Sequence, residues 1–238
     1  MHRQLVSGEQ TVLFVLTGHD RLGSADDTDA AATGFHLTEA AYPWWVLTQA
    51  GIRVVLVTPN GGPASIDPSS RDDDDKVNQA FLDDANVRAA MAQPQALRDI
   101  TTEDMAAIYF PGGHGTMWDL PTHPSVADAV RTMHLAGKPV AAICHGPAAL
   151  VNVRLPNETF LIAGKRISAF SDSEEIATDK AELMPFMLES TLRERGALVE
   201  IADDFEPCVV VDGTLITGQN PASAMALAQA LLEILQIR

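Results

Sequence analysis

The chain has 238 residues, long enough to bury one large hydrophobic core, and no stretch of it has the composition of an interdomain linker. Its 32 acidic and 16 basic residues give a formal net charge of −16, which argues against binding to nucleic acid or anionic membrane surfaces. Two cysteines are too few for a disulfide framework. The segment Met1–Gln10 is polar, and the apolar run Thr11–Leu16 is too short for the hydrophobic region of a signal peptide or for a membrane span. We therefore expect residues 1–238 to form a single cytoplasmic domain without nucleic acid or membrane partners.

Predicted strands and helices alternate along most of the chain. Short apolar runs predict buried strands at Thr11–Thr17, Ile52–Thr58, Ala106–Phe110, Val140–Ile143, Arg166–Phe170 and Leu198–Ile201. Helical composition predicts helices at Phe35–Ala50, Val77–Met91, Pro124–Ala136, Ala181–Arg195 and Pro221–Ile237. The segment Cys208–Ile216 contains Asp212–Gly213, which favours a hairpin turn. The alternation predicts an α/β fold, with a mainly parallel sheet flanked by helices and a short antiparallel addition.

Two local features modify this pattern. Pro43 lies inside the first predicted helix and should start, kink or restart it, because proline lacks the N–H group that a helix interior needs. The run Asp72–Lys76 (DDDDK) is interpreted as a solvated acidic turn or a helix start, since carboxylates stabilise a helix N-terminus.

Cys144 lies on a predicted corner between a strand and a helix. In the stretch Lys138–Leu150 (KPVAAICHGPAAL), Gly146 and Pro147 end the strand and suit the first turn of a helix. A cysteine on such a corner is held beside unpaired N–H groups, and we expect the helix start to favour the reactive thiolate. The alternative from this stretch alone is a free cysteine buried in a core strand, where cysteines are common.

Four predicted loops follow strands at the edge where open parallel sheets bind their ligands. These loops are Gly18–Gly34, Pro111–Thr116, Cys144–Pro147 and the segment from Ser171 onward. The PGGHGT sequence of the second loop offers small residues whose N–H groups can approach a substrate oxygen, or it is simply a tight turn. The chain has no dinucleotide or P-loop motif and no closely spaced group of metal ligands, so we expect neither a cofactor nor a metal.

Carboxylates near these loops are candidate partners of the cysteine. His145 could activate the neighbouring thiol if a carboxylate holds its ring. That carboxylate could come from the acidic segment that follows the next strand, or the segment could be a solvated loop. It contains Asp172, Glu174 and Glu175. Glu39 stands among apolar neighbours and is either exposed on a helix face or turned inward as an acid–base group.

These motifs resemble the ThiJ/PfpI superfamily, whose flavodoxin-like fold is that of the class I glutamine amidotransferase domain. They are most similar to its branch of heat-shock chaperones and glutathione-independent glyoxalases. The resemblance covers nearly the whole chain and rests on VLTGHDRLG, TGFHLTEAA, TPNGGPASIDP, YFPGGHGTMWDL, AAICHGPAAL and VVVDGTLITGQNPASA. It does not imply glutamine amidotransferase activity, because those enzymes place the histidine and the acid elsewhere.

The resemblance implies a set of site residues. Cys144 corresponds to the family's nucleophile, and Glu39 corresponds to the glutamate that touches its thiol. The backbone N–H groups of Gly113 and His145 correspond to the oxyanion donors. The acid that supports His145 corresponds to Glu175 in the branch that the chain resembles most. In other members of the superfamily the acid corresponds to Asp172.

The function implied by the resemblance is a cofactor-independent lyase or hydratase of the glyoxalase III type. Its substrate would be a small dicarbonyl, methylglyoxal or glyoxal, converted to D-lactate or glycolate through a hemithioacetal on Cys144. The alternatives with the same nucleophile are a deglycase, an isonitrile hydratase and a small amidase. Alternatives of other classes are a stress holdase, whose apolar patch would include Trp44–Trp45 or Met117–Trp118, and a redox sensor that oxidises Cys144. The resemblance also implies a homodimer.

Overall fold

A computed structural model of the protein describes residues 10–72 and 74–237. The predicted polar segment Met1–Gln10 therefore lies outside the described residues, apart from Gln10, and so does Asp73 of the acidic run. Within the described ranges, no helix is both long enough and apolar enough to cross a membrane.

The centre of the fold is a seven-stranded β-sheet. The strands of the described residues are β1 Thr11–Val15, β2 Arg53–Thr58, β3 Gln95–Ala96, β4 Ala107–Phe110, β5 Val140–Ile143, β6 Arg166–Ile167, β7 Leu198–Val199, β8 Val209–Asp212 and β9 Leu215–Gly218. The sheet has the order β3-β2-β1-β4-β5-β9-β8, and its neighbouring strands are parallel except for β8 and β9. Strands β6 and β7 pair with each other in a separate two-stranded sheet. The predicted α/β fold, mainly parallel with a short antiparallel addition, is confirmed.

Helices cover both faces of the sheet. The α-helices of the described residues are α1 Leu37–Gln49, α2 Lys76–Asp83, α3 Ala85–Ala92, α4 Thr116–Asp119, α5 Pro124–Leu135, α6 Asp172–Ala177, α7 Leu188–Glu194 and α8 Ala224–Ile237. Short 3-10 helices are formed by Pro68–Ser70, Leu97–Asp99, Thr102–Asp104, Gly146–Leu150, Ala181–Leu183 and Pro221–Ser223. The buried side chains of α1 and α8 belong to one core cluster, and those of α5 belong to the other.

The neighbouring strands β4 and β5 consist of apolar and aromatic residues because both of their faces are covered. In β4, Ile108 and Phe110 belong to the core cluster that contains α5, whereas Ala107 and Tyr109 belong to the cluster that contains α1 and α8. Successive side chains of a strand point to opposite faces, so a strand covered on both faces reads as a continuous apolar run. That is the signal by which the sequence predicts β1, β2, β4 and β5.

Several predicted elements have different boundaries in the structure, and three of these differences have a clear physical reason. The predicted helix Val77–Met91 is two helices, because the Asp84 carboxylate accepts N–H hydrogen bonds from the next turn and begins α3. The predicted helix Ala181–Arg195 is an α-helix only in α7, because Pro185 disfavours helical backbone at the residue before it. The predicted strand Arg166–Phe170 is only two residues long and pairs with β7 outside the main sheet.

Helix α1 continues through Pro43. Proline has no N–H group to donate to the carbonyl oxygen of Glu39, four residues earlier in the helix. The hydroxyl group of Tyr109 in β4 donates to this oxygen over 2.6 Å instead. The prediction that Pro43 starts or restarts the helix is wrong, because the sheet supplies the missing donor. The same hydrogen bond ties Glu39 to the centre of the sheet.

Candidate active site

Cys144 is the residue at which β5 ends and the chain turns. Its backbone φ angle is 57°, a left-handed value that few non-glycine residues adopt. Two hydrogen bonds hold the backbone there: the Cys144 N–H donates to Gly218 O over 2.8 Å, and Cys144 O accepts from the Phe170 N–H over 2.9 Å. A strained residue at the corner between a strand and a helix is typical of an active-site nucleophile.

The glycine two residues after the cysteine lets this corner pack tightly. A Cβ atom on Gly146 would lie 2.2 Å from the carbonyl oxygen of Phe110, the last residue of β4. The helix that begins at this glycine is the five-residue 3-10 helix Gly146–Leu150 rather than a longer α-helix. The corner therefore requires glycine for close approach, and it lacks the α-helical N-terminus that the sequence predicts.

The surroundings of Cys144 favour the thiol over the thiolate. Burial raises its pKa well above the usual value, and the charge of Glu39 and a hydrogen bond with the Glu39 side chain raise it further. The backbone N–H of His145 acts in the opposite direction and only partly offsets these effects. The prediction that a helix start favours the thiolate is wrong, so the site needs a base that removes the thiol proton during reaction.

His145 is placed to be that base. Its Nδ1 atom lies 3.3 Å from Cys144 Sγ, and its Nε2 atom lies 2.6 Å from Oε2 of Glu175. Burial lowers the pKa of His145, and the nearby charge of His114 lowers it further, so the imidazole is neutral. Because an ionised Glu175 can only accept, the proton of the neutral ring belongs on Nε2, and the Nδ1 lone pair faces the thiol. The three side chains form a Cys–His–Glu triad.

Helix α6 gives Glu175 its place in the triad. The Ser171 hydroxyl accepts the Glu174 N–H, and the Glu174 carboxylate accepts the Ser171 N–H, which forms a capping box at the helix start. The following residue, Glu175, then lies in the first turn, almost fully buried and directed at His145. Asp172 lies away from the triad and accepts a hydrogen bond from the hydroxyl group of Ser190.

The structure thus selects between the two acids that the resemblance left open. Burial acts to raise the pKa of Glu175, but hydrogen bonds from His114 and His145 hold it well below the usual range. Glu175 is therefore ionised and supports His145, while Asp172 does not reach it. Glu174, the third acidic candidate, serves the helix cap and accepts a hydrogen bond from the Asn220 side chain over 2.8 Å.

Glu39 is fully buried beside the cysteine. Its Oε2 atom accepts the Gly112 N–H over 2.7 Å, and its Oε1 atom has no nitrogen or oxygen donor among the described residues. Burial raises its pKa to about 8, against the lowering effects of the Gly112 N–H and the Cys144 thiol. The carboxyl group is thus neutral at pH 7, and Oε1, which accepts no N–H or O–H donor among the described residues, is the oxygen available to carry the proton.

The PGGHGT loop packs so closely against Glu39 and His145 that a residue larger than glycine does not fit at Gly112. A Cβ atom on Gly112 would lie 2.7 Å from both Glu39 Oε2 and the His145 nitrogen, and Gly113 has a φ angle of 101°. The Gly112 N–H is already used by Glu39. Within the described part of the chain, the Gly113 N–H donates to no protein acceptor, so it remains available for a substrate oxygen.

Two further histidines lie around the triad, the half-buried His36 and the buried His114, and the sequence did not single them out. His36 begins α1, its pKa is lowered to about 4 by burial, and its Nδ1 atom has no hydrogen-bond partner among the described residues. His114 of the PGGHGT loop lies beside Glu175, with 3.1 Å between Nε2 and Oε1. Both histidines are far along the chain from the triad residues that they approach, so no spacing pattern in the sequence marks them as part of the site.

One group of side chains has the composition of a metal site. His114, His145 and Glu175 offer ligand atoms that all lie within 4.8 Å of one another. The sequence did not predict this cluster because its members are about 30 positions apart. The same nitrogen and oxygen atoms are hydrogen-bonded to one another, which is how buried histidines and carboxylates are satisfied without an ion.

The aromatic pairs proposed for a chaperone surface are largely packed. Trp44 packs on Phe81 with 5.5 Å between ring centroids, and Trp118 stacks on His19 at 5.0 Å. Met117 is buried in the core, and of the four residues only Trp45 is exposed. The structure therefore does not form one continuous apolar surface from these residues.

An open α/β sheet with a buried Cys–His–Glu triad at the carboxyl ends of its strands defines a class of proteins that use a cysteine nucleophile. The additional buried glutamate beside the thiol distinguishes this site from a simple triad. The chain belongs to the DJ-1/PfpI family, whose profile matches residues 30–234. The resemblance to the ThiJ/PfpI superfamily is confirmed.

The chain is similar to curated proteins and to solved structures from several organisms. A probable glutathione-independent glyoxalase of Schizosaccharomyces pombe is 31% identical over 199 residues, which cover 80% of this chain and 86% of the relative. The X-ray structure of Rapid Encystment Protein 24 KDa of Francisella tularensis has a TM-score of 0.90 and 36% identity, over 95% of this chain and 99% of that one. The crystal structure of glyoxalase III from Candida albicans has a TM-score of 0.81 and 26% identity, over 94% and 97% of the two chains.

Proposed function

We propose that this protein is a glutathione-independent glyoxalase that converts methylglyoxal or glyoxal to the corresponding hydroxy acid. The observation that carries the proposal is the neutral, buried Glu39 beside Cys144. A nucleophile and a triad alone suit hydrolysis, whereas isomerising a dicarbonyl also requires a group that moves a proton between adjacent carbons. Glyoxalases among the similar proteins support the same assignment.

The first step is addition of the thiol to the aldehyde. His145 Nδ1 takes the thiol proton as the Cys144 Sγ atom bonds to the aldehyde carbon. Glu39 gives its proton to the oxygen that becomes a hydroxyl group, and the Gly113 and His145 N–H groups stabilise the negative charge that develops there. The products of the step are a hemithioacetal, an ionised Glu39 and a protonated His145.

The second step is an internal exchange of oxidation state. The Glu39 carboxylate takes the proton from the former aldehyde carbon, and His145 protonates the ketone oxygen, which gives an enediol. Glu39 then delivers its proton to the second carbon, and the first hydroxyl group returns its proton to His145, which leaves a thioester. Water attacks the thioester and gives a proton to Glu39, while His145 protonates the departing sulfur. One water is consumed, and the three side chains return to their starting states.

The test is turnover of methylglyoxal in the absence of glutathione, with chiral identification of the lactate. We expect D-lactate from the wild type and none from Cys144→Ala, because the covalent adduct cannot form. Cys208→Ala is the matched control, since Cys208 is half-buried and its thiol makes only a long 3.8 Å hydrogen bond to the carbonyl oxygen of Glu200. Lactate formation by a folded Cys144→Ala variant at more than a few per cent of wild-type rate would contradict the covalent mechanism.

A further inference from the structure

His114 lies between two buried carboxylates. Its Nε2 atom is 3.1 Å from Glu175 Oε1, and its Nδ1 atom is 3.9 Å from Asp67 Oδ2. Its ring packs on His145, with 4.3 Å between the centroids. His114 is itself almost fully buried. A buried histidine with a carboxylate on each nitrogen has both of its N–H positions directed at acceptors.

Asp67 is the fixed end of this arrangement. One of its oxygens accepts the Thr33 hydroxyl over 2.7 Å, and the other accepts the Ser69 N–H over 2.9 Å and the Ser69 hydroxyl over 2.6 Å. Burial acts to raise the pKa of Asp67, but the nearby His114 and hydrogen bonds from Ser69 and Thr33 hold it well below the usual range. Asp67 is therefore an anion next to His114 that these three hydrogen bonds hold in place.

We infer that His114 is a positioning residue for the His145–Glu175 pair and that Asp67 holds it in place. The inference rests on the proposed function and assigns a role to a part of the site that the reaction steps do not touch. Glu175 has two oxygens and can rotate about its last side-chain bond. His114 occupies Oε1, so Oε2 faces His145 Nε2 and keeps the Nδ1 lone pair of His145 toward Cys144.

The charge of His114 has a second effect on the same pair. Burial alone would lower its pKa, but the nearby Asp67 carboxylate and the hydrogen bond with Glu175 raise it above the usual value. A protonated His114 disfavours a second positive charge on the neighbouring His145, which keeps His145 a proton acceptor. The titratable and charged groups that face His114 are Asp67, Glu175, His145, His36 and Lys180.

Two substitutions separate the hydrogen bond from the charge. His114→Phe removes both donors and the charge but keeps a planar ring, whereas His114→Gln removes the charge but keeps one N–H donor for Glu175. His123→Gln is the matched control, because His123 is partly exposed and bonds to the side chain of Asn60. Circular dichroism and thermal unfolding establish that each variant is folded.

The first readout is steady-state turnover of methylglyoxal. We expect kcat of His114→Phe to fall on the order of 10-fold to 100-fold, the loss typical when a residue that orients a reactive group is removed, with KM nearly unchanged. His114→Gln should keep more of the wild-type kcat than His114→Phe, because it still holds one oxygen of Glu175. His123→Gln should match the wild type.

The second readout needs no substrate and so distinguishes failure of this inference from failure of the proposed function. The rate at which iodoacetamide alkylates Cys144 falls at low pH as His145 becomes protonated, so the midpoint of that fall reports the titration of His145. We expect the midpoint to move to higher pH in both His114→Phe and His114→Gln, since both remove the neighbouring positive charge. If the wild type does not turn over methylglyoxal, the alkylation profiles still test the inference.

Asp67→Asn tests whether Asp67 acts through His114. The single substitution should lower kcat in the wild-type background and have little further effect in His114→Phe, because the two residues would act as one unit. Full additivity of the two losses would show that Asp67 supports the fold instead. Unchanged kcat and unchanged alkylation midpoints in folded His114→Phe and His114→Gln would overturn the inference.

Discussion

At the scale of single residues, the main feature of the site is that two acidic groups in contact, the Cys144 thiol and the Glu39 carboxyl group, disfavour each other's ionisation. Cys144 and Glu39 can both become anions, yet both are buried and in contact, so ionising one makes ionising the other more costly. The pair therefore titrates as a unit. In the proposed reaction, Glu39 becomes an anion only as the Cys144 sulfur is converted to a neutral hemithioacetal, so the two negative charges never coexist.

We expect Glu39→Gln to lower turnover and to raise stability. Turnover should fall roughly 10²–10⁴-fold, because the amide cannot accept a proton, while Cys144 still reacts with iodoacetamide. Glu39 has a folded-state pKa raised to about 8, so the stability it contributes is present below its unfolded pKa and is lost as the pH rises toward 8. The free energy of unfolding of Glu39→Gln should therefore exceed that of the wild type by up to a few kcal/mol at pH 8.

Denaturant unfolding of both proteins between pH 5 and pH 8 measures this difference. The gap should widen as the pH rises, because only the wild type loses stability when its unfolded chain releases the Glu39 proton. A constant gap over that range, or unchanged turnover in Glu39→Gln, would contradict the role assigned to Glu39.

We expect Glu175→Gln to impair catalysis and Asp172→Asn to leave it intact. An amide at position 175 offers no anion to the Nε2 proton of His145, so the ring loses the tautomer that faces Cys144, and kcat should fall by about 10²–10⁴-fold. Asp172 bonds Ser190 outside the triad, so its neutral variant is the matched control. Equal losses of kcat in the two variants would mean that the triad acid is wrongly assigned.

The residues of the site differ in how far the sequence could reveal them. Cys144 and Glu39 lie in motifs that carry the family resemblance, so their positions could be predicted. The choice between Asp172 and Glu175 depended on where a helix begins, which the Ser171 capping box decides. Asp67 and His114 could not be recognised as partners, because their contact depends on how two distant loops pack.

At the scale of secondary-structure elements, α1 and β4 work as one unit. Pro43 removes the helical partner of the Glu39 carbonyl oxygen, and Tyr109 replaces it. Two hydrogen bonds therefore position Glu39: the Tyr109 hydroxyl group donates to its backbone oxygen, and the Gly112 N–H donates to its carboxyl group. Helix α1 therefore continues through Pro43, where sequence rules predict a break, because Tyr109 of β4 supplies the missing hydrogen-bond donor.

We expect Tyr109→Phe to lower the free energy of unfolding by about 1–3 kcal/mol, because it leaves a buried carbonyl oxygen unpaired. The chain has two tyrosines, so Tyr42→Phe is the matched control; Tyr42 bonds Asp75 near the surface, where water can replace the hydroxyl group. Urea unfolding of the three proteins with unchanged m-values is the measurement. A smaller loss for Tyr109→Phe than for Tyr42→Phe would contradict the pairing of Tyr109 with Pro43.

The sequence predicted best the strands that are packed against helices on both faces. It predicted least well the helix ends that depend on a single polar capping residue. The continuous apolar runs of β1, β2, β4 and β5 were recognisable. The break at Asp84 was not, because the residues on both sides favour helix and only the capping hydrogen bonds begin a new one. Helix α6 was missed because it is short and strongly acidic.

At the scale of the whole molecule, the position of the site follows from strand order. The chain moves outward from β1 to β2 and β3, then returns to place β4 on the other side of β1. Such a reversal opens a crevice at the carboxyl ends of the strands. Glu39, His114 and Cys144 follow β1, β4 and β5 and therefore meet there. Alternation of elements predicts a parallel sheet, but strand order depends on packing that no local pattern encodes.

We expect the protein to be a homodimer in solution, as the resemblance to the superfamily implies. Light scattering coupled to size exclusion at micromolar concentration should give twice the mass of one chain. A mass of one chain across the concentration range would contradict this expectation. Cys144→Ala should have the same mass as the wild type, since the thiol is buried inside one protomer.

The hydrogen bonds that assemble the site join parts of the chain that are far apart in sequence. The bond from Gly112 to Glu39 spans 73 residues, and the contact of His114 with Glu175 spans 61. Contacts of such separation form late, after the loops between them have closed. During refolding, helical signal should therefore return before the protected environment of Cys144 does. A partly folded chain would carry Cys144 as an ordinary exposed thiol, so the proposed activity should appear only when folding is complete.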